Sequence, residues 1–139
     1  MDVETTAMYA GRASDQTDEE TAAVMAALTV DPASIVATVI AIDDDGTPVA
    51  HAALRPFEGE LEVKKVFVAK SVRGRGVSRE IMTELERVAR DRDIHSLVLQ
   101  TGDLQVPAIN LYLSMGYELI PVYGKYSAIP FALCYRKQL

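Results

Sequence analysis

Residues 73–79 read Arg73-Gly74-Arg75-Gly76-Val77-Ser78-Arg79, between an apolar, β-branched run (Leu61–Ala69) and a run with helical spacing (Glu80–Arg92). Two glycines in a short turn let the backbone approach a ligand closely and take positive φ values without steric cost. The helix that follows aims its free N–H groups and the positive end of its dipole at the turn. Arg73, Arg75 and Arg79 add full charge. Strand, glycine turn and helix start together predict a receptor for phosphate or pyrophosphate. A dinucleotide fingerprint needs a third glycine where Arg79 stands, and a P-loop needs a Gly-Lys-Ser/Thr ending. Neither is present.

Outward from the turn, the periods change. Ile81, Met82, Leu85, Val88 and Ala89 recur at helical spacing, with Glu80, Glu84, Glu86, Arg87 and Arg90 on the other faces. Ser96–Thr101 is a short apolar strand, so strand, helix and strand predict a parallel pair with a right-handed crossover. Pro107 opens a further helix, Ala108–Met115, stopped by Gly116. Tyr117–Tyr123 and Ile129–Lys137 are the final predicted strands, joined by a loop at Gly124–Ser127. Upstream, Ser34–Asp43 (read as buried), Pro48–Phe57 and Leu61–Ala69 form an antiparallel meander through turns at Asp43–Gly46 and Phe57–Glu60. Asp18-Glu19-Glu20 starts a helix that ends before Asp31-Pro32, and residues 1–14 are expected to be helical in part.

A length of 139 residues predicts one domain, 1–139, with one core. The formal net charge of −6 argues against general affinity for nucleic acid or an anionic membrane, so the arginine cluster is a local device for a small anion. The one cysteine, Cys134, has no internal disulfide partner and fits a reducing compartment. Met1-Asp2-Val3-Glu4 lacks the regions of a signal peptide, and no apolar run approaches the ~20 residues of a membrane span. A soluble, cytoplasmic protein is the expectation.

Two separated motifs resemble those of the GCN5-related N-acetyltransferase (GNAT) superfamily. Arg73-Gly74-Arg75-Gly76-Val77-Ser78 matches its coenzyme A loop, Q/R-x-x-G-x-G/A, with Ser78 in the last small-residue slot. Ala108-Ile109-Asn110-Leu111-Tyr112 followed by Gly116-Tyr117 resembles its A-x-x-L-Y-x-x-x-G-F/Y signature. The resemblance covers about residues 34–139, and the tail at Gly124-Lys125-Tyr126 is similar to that of a small bacterial branch. It implies an α+β fold: a mixed, mostly antiparallel central sheet of about six to seven strands flanked by helices, with coenzyme A at a splayed strand pair. The family's usual opening strand has no counterpart, since the helical stretch begins almost at Met1; either that strand is missing from this chain or a partner's replaces it, which leaves room for a homodimer.

The activity implied is acetyl-CoA-dependent N-acetylation of a primary amine by direct attack in a ternary complex, with acetyl-CoA as cosubstrate and no metal. The alternative is a non-catalytic acyl-CoA sensor or regulatory subunit on the same fold. The acceptor is a small-molecule or protein amine, and an acidic surface leans toward a cationic one, such as a polyamine, an aminoglycoside or a lysine side chain. By the resemblance, the pyrophosphate lies on residues 74–79, Gly74, Arg75, Gly76, Val77, Ser78 and Arg79, with Arg73 beside it. The pantetheine arm pairs with Val66, Phe67 and Val68. Gln105 or Asn110 contacts that arm, and Tyr112 is the donor to the departing thiolate. The N–H of Val68 polarises the thioester carbonyl.

Glu62 is the candidate general base, directly or through water. It stands six residues before Val68, so strand alternation puts both on one face. Its plainer reading is a solvent-facing carboxylate paired with Lys64. His51 is the rival base, with a core histidine as its plainer reading. His95 reads as surface, and Cys134 as a small apolar residue.

Overall fold

The computed structural model describes residues 17–139. The expectations for residues 1–14, including the absent opening strand, lie outside the described residues. Helix α1 (Asp18–Leu28) starts at a reciprocal cap. Thr17 Oγ1 accepts from the Glu20 N–H at 3.1 Å, and Glu20 Oε2 accepts from the Thr17 N–H at 3.0 Å. A single 3-10 turn, Pro32–Ser34, then leads into the sheet.

Strands β1 (Ala37–Ile42), β2 (Pro48–Phe57) and β3 (Glu60–Val68) form the meander, and β4 (Ser96–Gly102), β5 (Glu118–Ile120) and β6 (Ala132–Gln138) complete the sheet. The six strands lie in the order β1-β2-β3-β4-β6-β5. Every neighbouring pair is antiparallel except β3–β4. Helix α2 (Val77–Asp91) is the crossover between those two, and α3 (Val106–Ser114) follows β4.

Helix α2 lays Ile81, Met82, Leu85 and Ala89 against Ala52, Leu54, Leu61, Val63, Leu97 and Leu99. Each large aliphatic side chain so buried contributes roughly 1.5–3 kcal/mol. The opposite face is covered by Val24 and Ala27 of α1 and by Tyr126, Ile129 and Phe131.

Three expectations need correcting. Among the described residues the first strand is an edge rather than a buried strand: Ile40 and Ile42 are 54% and 61% exposed, and β2 is the one described strand that pairs with it. Glu86, placed on the outer faces of its helix, is buried and accepts from Lys137 Nζ. The segment expected as a loop at Gly124–Ser127 is a 3-10 turn, Gly124–Ala128, whose Tyr126 side chain enters the core.

Candidate functional site

The site begins with an extra residue in β3. On β2, Ala53 faces Lys64 and His51 faces Phe67, so two steps on one strand match three on the other. Lys65 takes φ +55° at this bulge. A bulge bends its strand and raises the local twist. The parallel pairing of β3 with β4 accordingly covers only Leu61–Leu97, Glu62–Val98 and Val63–Leu99. Beyond them β3 stays with β2, β4 stays with β6, and the sheet opens.

The bulge also corrects the placing of Glu62 with Val68. Glu62 faces Arg55 and Val68 faces Ala50, and residues an odd number of steps apart on β2 point to opposite faces. Val68 packs toward the α2 core, whereas Glu62 lies on the other face. What matters at Val68 is its main chain. The Ala69 N–H donates to the Val49 carbonyl at 2.7 Å. Successive amides alternate across a strand, so the Val68 N–H turns toward the opening.

Helix α2 begins at Val77, three residues earlier than its apolar spacing predicts, which puts Val77, Ser78 and Arg79 in its first turn. Its N-cap is Gly76, at φ +79°, with no side chain to cap the exposed amides. Gly74 has the same φ, and a Cβ at either glycine would meet nothing within 4 Å. Backbone conformation, not crowding, therefore requires glycine here. The bend is open, and the first amides of α2 have no side-chain cap there, so the bend could hold an anion.

A groove of about 580 Å³ runs from this bend to Tyr112. All the residues expected to hold coenzyme A line it except Arg75 and Asn110. Asn110 lies on the exposed side of α3, two positions from buried Tyr112. Arg73 Nε donates to the Val68 carbonyl at 3.0 Å, and Arg79 Nη2 to Ser114 Oγ at 2.7 Å. A second groove, of about 540 Å³, meets the first at Val66, Phe67, Gln105, Ala108 and Tyr112. It extends to the end of α1 at Leu28–Val30 and to Lys64 and Gln100. Tyr112 is 5% exposed, and burial pushes its phenol up to about 12. It therefore keeps its proton at neutral pH and remains a donor.

Glu62 is not brought to either groove. It is fully buried: Oε1 pairs with Arg55 Nε at 2.6 Å, and Oε2 accepts the Tyr123 hydroxyl at 2.5 Å. This is neither a solvent-facing carboxylate nor a partner of Lys64. Lys64 instead donates to the Tyr126 hydroxyl at 2.6 Å, as does Arg55 at 3.1 Å. Sequence reasoning missed this network, because Lys64 and Tyr126 are 62 residues apart and no local pattern joins them. His51 is not a core residue. It is exposed, stacks on Phe67 with ring centroids 5.5 Å apart, and lines the second groove. His95 is exposed beside Asp93, and Cys134 is buried, its thiol pushed up by burial. No group of three or more His, Cys, Asp or Glu among the described residues is placed to hold a metal. None of the described helices is long and apolar enough to cross a membrane.

The sequence model of the acetyltransferase (GNAT) family matches residues 4–117. The chain belongs to the GNAT family. Among GNAT relatives, the IAA acetyltransferase of Azospirillum brasilense is 32% identical over 100 residues, 72% of this chain and 58% of that protein. The chain spans about half the length of the first curated relatives it matches. A crystal structure from Klebsiella pneumoniae, described as an acyl-CoA N-acyltransferase, superposes with a TM-score of 0.72 at 30% identity, over 88% of this chain and 92% of that one. A GNAT acetyltransferase from Elizabethkingia anophelis, solved with acetyl-CoA bound, shares the fold at 14% identity with a TM-score of 0.67, over 88% and 84% of the two chains. The mixed, mostly antiparallel six-stranded sheet flanked by helices is thus that of a GNAT fold.

Proposed function

We propose that the protein is an acetyl-CoA-dependent N-acetyltransferase in which a primary amine attacks while both substrates are bound. The observation that carries this reading is the meeting of two grooves at Tyr112, one starting at the open glycine bend and the other at the end of α1. Acetyl-CoA supplies the activated acetyl thioester.

The amides of residues 74–79 hold the diphosphate, with Arg73 and Arg79 swinging from their present partners to add charge. The edge of β3 at Val66–Val68 pairs with the pantetheine amides as an added strand. The Val68 N–H lies ahead of the carbonyl oxygen and stabilises charge that develops there. Tyr112 protonates the departing thiolate. Gln105, at the start of α3 in both grooves, contacts the arm in preference to Asn110. The acceptor ammonium must lose its proton. His51, which lines the second groove, takes it directly or through water, while the engaged oxygens of Glu62 hold Arg55 and Tyr123.

The test is thiol release from acetyl-CoA with a panel of amines. Tyr112→Phe is expected to lower kcat about 100-fold with the KM for acetyl-CoA little changed. Gly76→Glu puts a strained residue and a negative charge into the bend, and is expected to abolish the thermal shift caused by acetyl-CoA. Undiminished turnover in the tyrosine variant, or an intact shift in the glycine variant, would sink the proposal. Binding without turnover of any amine would point to the sensor.

A further inference from the structure

The second groove has a charge of its own, opposite to that of the chain. Its charged or titratable lining is His51, Lys64 and Lys65, and no carboxylate among the described residues lines it. Glu62 neighbours Lys64 on the same face of β3, but Arg55 takes one of its oxygens at 2.6 Å and Tyr123 the other at 2.5 Å. Among the described residues Lys64 is left without an ion pair of its own. It is 9% exposed, donates to the Tyr126 hydroxyl at 2.6 Å, and sits 4.7 Å from the centre of that ring.

An ammonium has three donors, and Lys64 uses only this one on the described residues. Burial disfavours the charge most, and although Glu62 attracts it, Arg55 and Lys125 repel it, so the group is held down at about 8. At neutral pH it is still a cation. A buried cation that shares its nearest carboxylate with Arg55 is costly, and an anion brought to it adds a charge-assisted hydrogen bond. A polyamine or another cation would meet repulsion in this groove. The formal charge of −6 belongs to the whole chain and does not describe this wall.

We infer that the acceptor is a primary amine that also carries a carboxylate, in the manner of an amino acid, with the carboxylate against Lys64 and the amine turned toward Tyr112. The inference rests on the acetyltransferase reading and narrows its substrate class. Lys64 is then a specificity residue, and a matched amine without the carboxylate leaves it unpaired.

The experiment is calorimetric titration of the coenzyme-A-loaded protein with matched pairs: L-phenylalanine against 2-phenylethylamine, L-leucine against 3-methylbutylamine, and L-tyrosine against tyramine. In at least one pair the amino acid is expected to bind on the order of 30-fold more tightly, or more. Lys64→Met removes that preference, Lys64→Arg keeps much of it, and coenzyme A affinity is unchanged in both. L-phenylalaninamide, which keeps the shape without the charge, is expected to bind as weakly as the bare amine and needs no variant. Equal or tighter binding of the bare amines, no binding of any amino acid in the set, or a preference that survives Lys64→Met would each overturn the inference. Coenzyme A affinity is read separately in the same instrument. Its loss in the wild-type protein would count against the acetyltransferase reading instead.

Discussion

Lys64 and Tyr117 show how much a single buried polar group decides. Burial, ahead of the opposing attraction of Glu62, lowers the Lys64 ammonium to about 8 from 10.5. Between those values the unfolded chain binds more protons than the folded one, so stability rises with pH across that window. At about 1.4 kcal/mol per unit, the wild-type protein gains about 2 kcal/mol between pH 8 and 10 relative to Lys64→Met. Urea unfolding of both proteins at the two pH values checks this, and parallel curves would refute it. The hydroxyl of Tyr117 is buried without a hydrogen-bond partner. Tyr117→Phe removes that unmet group and keeps the ring, which packs 5.7 Å from Tyr112. The variant is expected to be more stable by about 1 kcal/mol, seen as a raised melting temperature. Of these residues the sequence made Tyr112 legible through its motif. It did not show that Glu62 is committed to Arg55 and Tyr123, because that depends on side chains from three separate segments.

At the scale of elements, one residue of β3 creates the opening. Lys65 sits at φ +55°, a conformation that costs an L-residue roughly 1–2 kcal/mol. Lys65→Gly removes that strain and is expected to keep both stability and acetyl-CoA binding. Lys65→Val places a β-branched side chain where positive φ is least tolerated, and is expected to destabilise by about 1–2 kcal/mol or to weaken acetyl-CoA binding by flattening the bulge. Chemical unfolding and cofactor titration of the two variants decide it; identical behaviour would mean that the bulge does not hold the strands apart. Periodicity located β2 at its observed bounds and β3, β4 and α3 to within a residue or two. It could not find the bulge, since alternation in sequence carries no mark of where a partner strand gains a step. The same blindness put Glu62 and Val68 on one face. Helix α2 starts earlier than its apolar stripe because Ser78 and Arg79 of its first turn line the groove and carry no apolar signal.

For the whole molecule, the two faces of the sheet do different work. The α2 face carries the larger apolar cluster, while the other face mixes apolar residues with Arg55, Glu62, Lys64 and Tyr126 beside the second groove. A ligand that binds only the folded state stabilises by mass action, so acetyl-CoA at 100 times its Kd is expected to add about 2.7 kcal/mol. Hydrogen exchange should slow most at Val68 and 74–79, where amides that face the groove gain partners, and protection confined to other segments would count against the proposed binding mode. The meander, the crossover helix, the glycine turn and the tyrosine motif could all be read from the chain alone, because each is written in residues close together along it. Where the strands part, which grooves meet at Tyr112, and that cations wall the second groove of an acidic protein became visible only in three dimensions. Those features arise from cross-strand register and from contacts between residues such as Lys64 and Tyr126, whose pairing depends on how the whole sheet closes around them.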